Sequence, residues 1–271
     1  MDRALMNLQL HDKRALVTGS SSGIGRAIAL GLAREGAAVV VHGRDGERAR
    51  ATADAIVTAG GMAAVVLGDL SDEATTTRVA AQATAAFGGV DILVNNAGTA
   101  YDAGWAGVTA ADWLTLYEAN VATAVRLTLA LTPQMREDAW GRVIQVGSAA
   151  NSCPLPVRAA YSAAKAAQAN LTVSLAKELA GTGITSNTVS PGPTLTEGFR
   201  EFAGKFAQSH GLDDAEAAIR GLIDGPLASP AARLAMPEEI AALVAFVASP
   251  LAASINGANL RVDGGLIPTV N

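Results

Sequence analysis

The sequence predicts an α/β fold: a doubly wound parallel sheet of about seven strands with helices on both faces. Three observations predict it. Short runs rich in Val, Ile and Leu alternate with longer Ala-rich stretches along the whole chain. The strand candidates are apolar almost throughout, the pattern of strands covered on both faces. Half of the residues are hydrophobic but only 4% are aromatic, so the layers must pack through small contact residues.

The elements follow in order. A strand over 15–17 runs into the glycine-rich VTGSSSGIG, and a helix over 24–34 follows. A strand at 38–42 precedes a helix at 46–58, and a strand at 64–67 precedes a helix at 76–87. A strand at 92–94 is followed by a long Ala-rich helix over 110–131. Then come a strand at 142–146, a helix at 160–179, a strand at 185–189, a helix at 237–248 and a last strand at 259–262. No repeat, low-complexity tract or linker interrupts the series, so 1–271 reads as one domain. The stretch 194–236 breaks the alternation, with helical patches and no clear strand. An insertion after a late strand tends to lie over the carboxyl edge of such a sheet, where ligands bind. It is the expected substrate-binding lid.

Composition narrows the function. The net charge is -5 with no block of like charges, so neither nucleic acid nor an anionic membrane is an expected partner. The longest apolar run, 240–248, is far short of the roughly 18 residues of a membrane span. The opening MDRALMNLQLHDKR has no apolar core of a signal peptide. The single cysteine, Cys153, allows no intrachain disulfide, and a reducing, cytoplasmic setting is expected. Cys153 stands before Pro154 with no nearby His, a filler rather than a nucleophile. No metal is expected.

Gly19, Gly23 and Gly25 follow a strand and open a helix. Gly19 permits the tight turn. Gly23 and Gly25 clear side chains so that a pyrophosphate can reach amides at the helix N-terminus. Ser21, Ser22 and Ile24 belong to the same loop. The spacing is G-x-x-x-G-x-G, and its strand–loop–helix setting is that of a Rossmann-type dinucleotide site. Where the second strand ends, an acid would bind a free ribose 2′-OH, but Gly43 stands there. Arg44 follows and suits a 2′-phosphate. Asp45 beside it either caps the next helix, faces solvent or opposes the phosphate. After the third strand, Asp69 either accepts from the adenine amino group or caps a helix, as Ser71 or Asp72 also could. Leu70 follows it in the same cofactor candidate stretch.

YSAAK, from Tyr161 to Lys165, places a phenol and an ammonium four residues apart on one helix face with small residues between them. A free tyrosine titrates near 10. A nearby ammonium favours the phenolate and is expected to lower that value towards neutral pH.

These motifs together make the chain resemble the short-chain dehydrogenase/reductase family, in its compact single-domain branch. The resemblance covers nearly the whole length. It rests on TGSSSGIG, NNAG from Asn95, Asn120, Ser148 thirteen residues before Tyr161, YSAAK, PGPTLT from Pro191, PEEIA from Pro237 and VDGG from Val262. It implies a carbonyl reductase or alcohol dehydrogenase similar to 3-oxoacyl carrier-protein reductases. Tyr161 would exchange the proton, Ser148 would hold the substrate oxygen, and Lys165 would bind the nicotinamide ribose. Asn120 would anchor a water linking the lysine to solvent. The resemblance also implies that NNAG lies by the adenosine ribose, with Asn95 structural and Asn96, Ala97 and Gly98 nearer the cofactor. Pro191 and Gly192 would turn past the nicotinamide, and Thr194 and Thr196 would fix its carboxamide. NADP is expected over NAD, although Ser22 stands where NADP-using relatives often carry Arg or Lys.

Two other readings share the fold. A non-catalytic nucleotide-binding regulator need not keep Ser148, Tyr161, Lys165 and Asn120 together. A dehydratase or epimerase resembles a longer chain with a substantial C-terminal domain. The substrate stays open: Phe199, Phe202, Phe206, Leu212, Ile219, Leu222 and Ile223 in the lid suit a moderately apolar carbonyl. Trp105 and Leu155 are candidates for the pocket border. A homotetramer is expected, through the helices at 110–131 and 160–179 and through apolar Leu266, Ile267 and Val270.

Overall fold

The computed structural model describes residues 7–100 and 104–269. Seven parallel strands form one sheet in the order β3-β2-β1-β4-β5-β6-β7. Along the chain these are β1 (Arg14–Val17), α1 (Gly23–Arg34), β2 (Ala38–Gly43), α2 (Gly46–Thr58), β3 (Met62–Leu67) and α3 (Glu73–Phe87). There follow β4 (Ile92–Asn95), α4 (Ala110–Tyr117), α5 (Thr123–Glu137), β5 (Gly141–Val146), α6 (Ala159–Glu178) and β6 (Ile184–Pro191). The chain continues through α7 (Glu197–His210), α8 (Ala215–Asp224) and α9 (Pro237–Ala248) to β7 (Asn259–Val262).

Each strand sends alternate residues to opposite faces, and both faces are covered. Ala15, Val17, Val39, Val41, Ile92 and Val94 pack against α1, α2 and α9. Leu16, Val40, Leu93 and Val143 pack against α3, α5 and the end of α6. The strand order reverses between β1 and β4. At that crevice lie the carboxyl ends of the strands, the usual ligand position in open α/β sheets.

Local chemistry sets the element ends. Asp45 caps α2, accepting from the amides of Glu47 and Arg48 at 3.0 and 3.1 Å. Asp72 accepts from the amide of Thr75 at 2.7 Å and starts α3 three residues before the position read from sequence. The helix expected over 110–131 is broken by a π turn, Glu118–Ala122. Thr123 donates to the carbonyl of Glu118, and Asn120 donates to that of Leu116. The second half then runs past Pro133 to Glu137.

The 194–236 segment is tied at its stem. The amide of Leu195 donates to the carbonyl of Ala235, and the amide of Ala235 donates to that of Pro193. Between them α7 and α8 share their own apolar cluster of Ala203, Ala207, Ala218, Ile219 and Leu234. Phe199, Phe206 and Ile223 pack on that cluster, while Phe202 and Leu212 are exposed.

Candidate functional site

The glycine loop leaves β1 with Gly19 at φ +62° and Gly23 at φ +54°, a region L side chains rarely adopt. Gly25 is required by space: a Cβ there would lie 2.4 Å from both Asn96 Nδ2 and the Gly19 carbonyl. Ser22 sits at the N-cap of α1 and makes no side-chain cap bond. The first-turn amides of α1 are therefore offered to an anion. This cradle fits a dinucleotide pyrophosphate, with Ser21, Ser22, Gly23 and Ile24 beside it.

Asn96 has a different place from the one expected. Its Nδ2 donates to the carbonyls of Thr18 and Gly19 at 2.8 and 3.1 Å, so this side chain braces the loop. The amides of Asn96 and Ala97 both donate to Thr18 Oγ1 at 2.9 Å. Asn95 is buried and donates weakly to Thr128, at 3.5 Å.

At the end of β2, a Cβ on Gly43 would meet the Ser21 side chain at 3.0 Å. A side chain there would need Ser21 to move by a few tenths of an ångström. Arg44 is 79% exposed, with Nη1 3.9 Å from Asp69 Oδ2. Asp69 also accepts from the amide and hydroxyl of Ser71, bonds that hold its carboxyl below the usual range. Leu70 is buried in the core, so only its backbone can face a cofactor. Asp45 spends its carboxylate on its cap.

Ser148 follows β5 and accepts from the amide of Ala150 at 3.2 Å. Gly147 before it has no room for a side chain, since a Cβ would lie 2.7 Å from Ser190 Oγ and from Thr188 Cγ2. The Tyr161 hydroxyl is hydrogen-bonded to Ser148. Lys165 stands one turn along α6, its Nζ donating to the carbonyl of Val146 at 2.9 Å and lying 5.7 Å from the Tyr161 ring centroid. Asn120, held by the π turn, donates to the carbonyls of Thr99 and Leu116 at 2.9 Å. Among the described residues its buried Oδ1 has no hydrogen-bond partner. A Cβ on Gly98 would lie 2.4 Å from that oxygen and 3.8 Å from Lys165 Nζ. The four side chains expected together thus converge on one crevice, beside NNAG.

The expected lowering of the Tyr161 pKa is not met in the protein alone. Burial raises it, with the Ser148 bond and the Arg158 charge acting the other way. The same burial lowers Lys165 to about 8. Desolvation acts on both groups here and opposes the charged form of each.

Beyond β6, the amide of Gly192 donates to the carbonyl of Val262 at 2.9 Å, and a Cβ there would strike the Asp263 backbone at 2.8 Å. Thr194 is buried and bonds the carbonyl of Gly192 at 2.9 Å. Thr196 caps α7, accepting from the amide of Phe199 at 3.1 Å, while its methyl lies 3.6 Å from the Cβ position of Gly23. Its oxygen is therefore partly spent on the helix, and the segment crosses close to the glycine loop.

Trp105 and Leu155 share a groove with Ala150 and Asn151 of the turn that follows Ser148. With Trp113, Pro154 and Pro156 they line this groove of about 410 Å³ against Ser162, Ala163 and Ala166. At about 100° per residue, Ala163 and Ala166 lie on the side of α6 away from Tyr161 and Lys165, and Ser162 lies between the two sides. Ile267 is buried by its own chain and Leu266 is half-buried; Val270 lies outside the described residues. Sequence reasoning passed over His42, whose buried ring bonds Gly19 and Gly68. It also passed over Thr18, which ties β1 to NNAG.

A family model described as short chain dehydrogenase matches residues 13–205. The chain is 42% identical over 265 residues to a Bacillus subtilis protein named uncharacterized oxidoreductase YvaG, covering 98% of this chain and 100% of the other. It is 39% identical to the 3-oxoacyl-[acyl-carrier-protein] reductase FabG of Vibrio cholerae, over 96% of this chain and 99% of that one. The crystal structure of L-sorbose reductase from Gluconobacter frateurii, complexed with NADPH and L-sorbose, matches with a TM-score of 0.93 and 33% identity. That likeness covers 98% of this chain and 100% of the other. Sequence and sheet agree over nearly the full length, and the chain belongs to the short-chain dehydrogenase family, as an NAD(P)-dependent oxidoreductase of carbonyl and alcohol groups.

Proposed function

We propose that the protein reduces a ketone or aldehyde, or oxidises the matching alcohol, with NADP(H) in preference to NAD(H). The observation that carries the reading is the Ser148–Tyr161 hydrogen bond one turn from Lys165, at the crevice beside the glycine loop. The bound nicotinamide supplies or takes up the hydride. The Ser148 hydroxyl holds and polarises the substrate oxygen. The Tyr161 O–H donates the proton in reduction and its phenolate accepts it in oxidation. Lys165 steadies the phenolate and binds the nicotinamide ribose. Asn120 Oδ1, buried and unpartnered among the described residues, accepts a hydrogen bond on the path that recharges the lysine.

Gly19, Gly23 and Gly25 shape the pyrophosphate cradle, and the amides of Ser21, Ser22 and Ile24 fill it. Ala97, Gly98 and the backbone of Leu70 border the adenosine, with Asn96 bracing from behind. Pro191, Gly192, Thr194 and Thr196 carry the chain past the nicotinamide. Arg44 binds the 2′-phosphate, because it is exposed and weakly paired to Asp69 at 3.9 Å. The whole chain works as one domain, with 194–236 as the substrate lid. Its exposed Phe202 and half-buried Phe199 suit a moderately apolar carbonyl. Two substrates head the trial list, a 3-oxoacyl-[acyl-carrier-protein] and L-sorbose, which the names of the Vibrio and Gluconobacter relatives carry. The exposed Leu114, Tyr117, Val125, Leu129 and Val173 on α4, α5 and α6 support a homotetramer. A cytoplasmic setting fits the single cysteine.

The test follows NADPH and NADH at 340 nm across a panel of carbonyls and alcohols. Tyr161→Phe should lose about 10²- to 10⁴-fold in kcat while binding NADPH as wild type does. Near-normal turnover by that variant would remove Tyr161 from its role. Arg44→Ala should weaken NADPH roughly ten- to a hundred-fold, as loss of a charge-assisted bond does, and leave NADH unchanged. An enzyme that prefers NADH would overturn the cofactor assignment.

A further inference from the structure

His42 is a buried histidine at the end of β2, and its ring is bonded at both ends to backbone. Nδ1 lies 3.2 Å from the amide of Gly19, and Nε2 lies 3.2 Å from the carbonyl of Gly68. A backbone amide can only donate and a carbonyl can only accept. The ring is therefore neutral, with the proton on Nε2. The main chain of His42 holds the same loop: its carbonyl accepts from the amide of Ser20 at 2.8 Å, and its amide donates to Ser20 Oγ at 3.0 Å. Ser20 Oγ in turn donates to the carbonyl of Val17. On the other side, the amide of Gly68 donates to the carbonyl of Gly43 at 3.2 Å.

We propose that His42 is a positioning residue for the nucleotide: its neutral ring clamps Gly19 of the glycine loop to Gly68 behind β3, and so sets the width of the cleft that receives the adenosine end. This rests on the nicotinamide-nucleotide reading above. The clamp stands between the groups assigned to that cleft. Arg44 is two residues on, Asp69 follows Gly68, and the loop that cradles the pyrophosphate begins at Gly19. The Gly19 amide is consumed by the ring, so a phosphate must use the later amides of the loop. An apolar side chain of similar size would leave a buried amide and a buried carbonyl unpaired. A protonated ring would set N–H against N–H at Gly19. The charged groups facing it, Asp69 and Arg44, pull its titration in opposite directions, and burial lowers it to about 4. The glycine loop, GSSSGIG, carries no titratable group.

The experiment is fluorescence titration of NADPH and NADH against wild type, His42→Leu and His42→Gln. A glutamine carboxamide presents one acceptor and one donor about as far apart as the ring nitrogens. His42→Leu should weaken both nucleotides by a similar factor of at least about tenfold, and His42→Gln should restore both to within about threefold. With any carbonyl that the enzyme reduces, the loss should fall in the nucleotide KM and leave kcat nearly unchanged. Unaltered affinity in His42→Leu, or a loss confined to NADPH, would overturn the clamp. A wild type that binds neither nucleotide would overturn the nicotinamide reading and the clamp with it. Ring ¹⁵N shifts of the wild type give an answer independent of any variant's folding, and only three histidines need assigning. A neutral ring protonated on Nε2 at pH 5 is expected; an imidazolium at pH 6 or the opposite tautomer would refute it.

Discussion

Lys165 is a cation that water barely reaches. It is 4% exposed, donates to the carbonyl of Val146, and is lowered by burial to about 8 against 10.5 in an exposed chain. Between those values the folded protein holds fewer protons than the unfolded one, so stability rises with pH across that window. At neutral pH the charged form is present in both states and its burial opposes folding, by roughly 3 kcal/mol at most. Lys165→Met removes that opposition and gives up one hydrogen bond of about 1 kcal/mol. We expect the variant to be inactive yet more stable by roughly 2 kcal/mol in urea unfolding. A loss of stability would mean that the ammonium is well solvated where it sits. Tyr161 and Lys165 were legible in the sequence because one helical turn separates them. His42 was not legible: a histidine closing a strand has no signature until the loop it clasps is folded beside it.

At the scale of elements, the glycine loop and its brace act together. A methyl on Gly25 would collide with Asn96 Nδ2 and with the Gly19 carbonyl at 2.4 Å. Gly25→Ala should therefore lower stability by about 1–3 kcal/mol and weaken NADPH at least tenfold, read by unfolding and titration. Gly204, inside α7, has nothing within 4 Å of its Cβ position. Gly204→Ala should instead stabilise by about 0.5–1 kcal/mol, and destabilisation there would show that α7 packs more tightly than its geometry says. Element ends were readable where one side chain makes them, as Asp45 does for α2 and Pro237 for α9. The break between α4 and α5 was not, because no Gly or Pro marks it. It comes from Asn120 and Thr123 bonding carbonyls of the preceding turn, and the reward for that bend lies across the crevice at Thr99 and Gly98. The bracing role of the Asn96 side chain was hidden for a similar reason: only the folded loop shows which carbonyls it can reach.

At the scale of the molecule, two of the largest exposed apolar side chains stand on neighbouring helices. Leu114 of α4 is 72% exposed and Leu129 of α5 is 68% exposed. If the proposed tetramer forms across these helices, Leu114→Glu with Leu129→Glu should shift the light-scattering mass to a smaller species while the far-ultraviolet dichroism stays the same. A mass equal to wild type would move the contact elsewhere. The stem of the 194–236 segment has another consequence. Its ends are joined by two backbone hydrogen bonds between 193–195 and 235, and its helices bury their own cluster. The segment thus leaves the body after β6 and returns to it, ahead of α9, at nearly one point. Closing a longer excursion from such a point costs little, about 0.6 kcal/mol for each doubling of length. If the segment covers the substrate as proposed, it can be exchanged like a cartridge, and one reductase body can be refitted for carbonyls of different size without re-forming its strands.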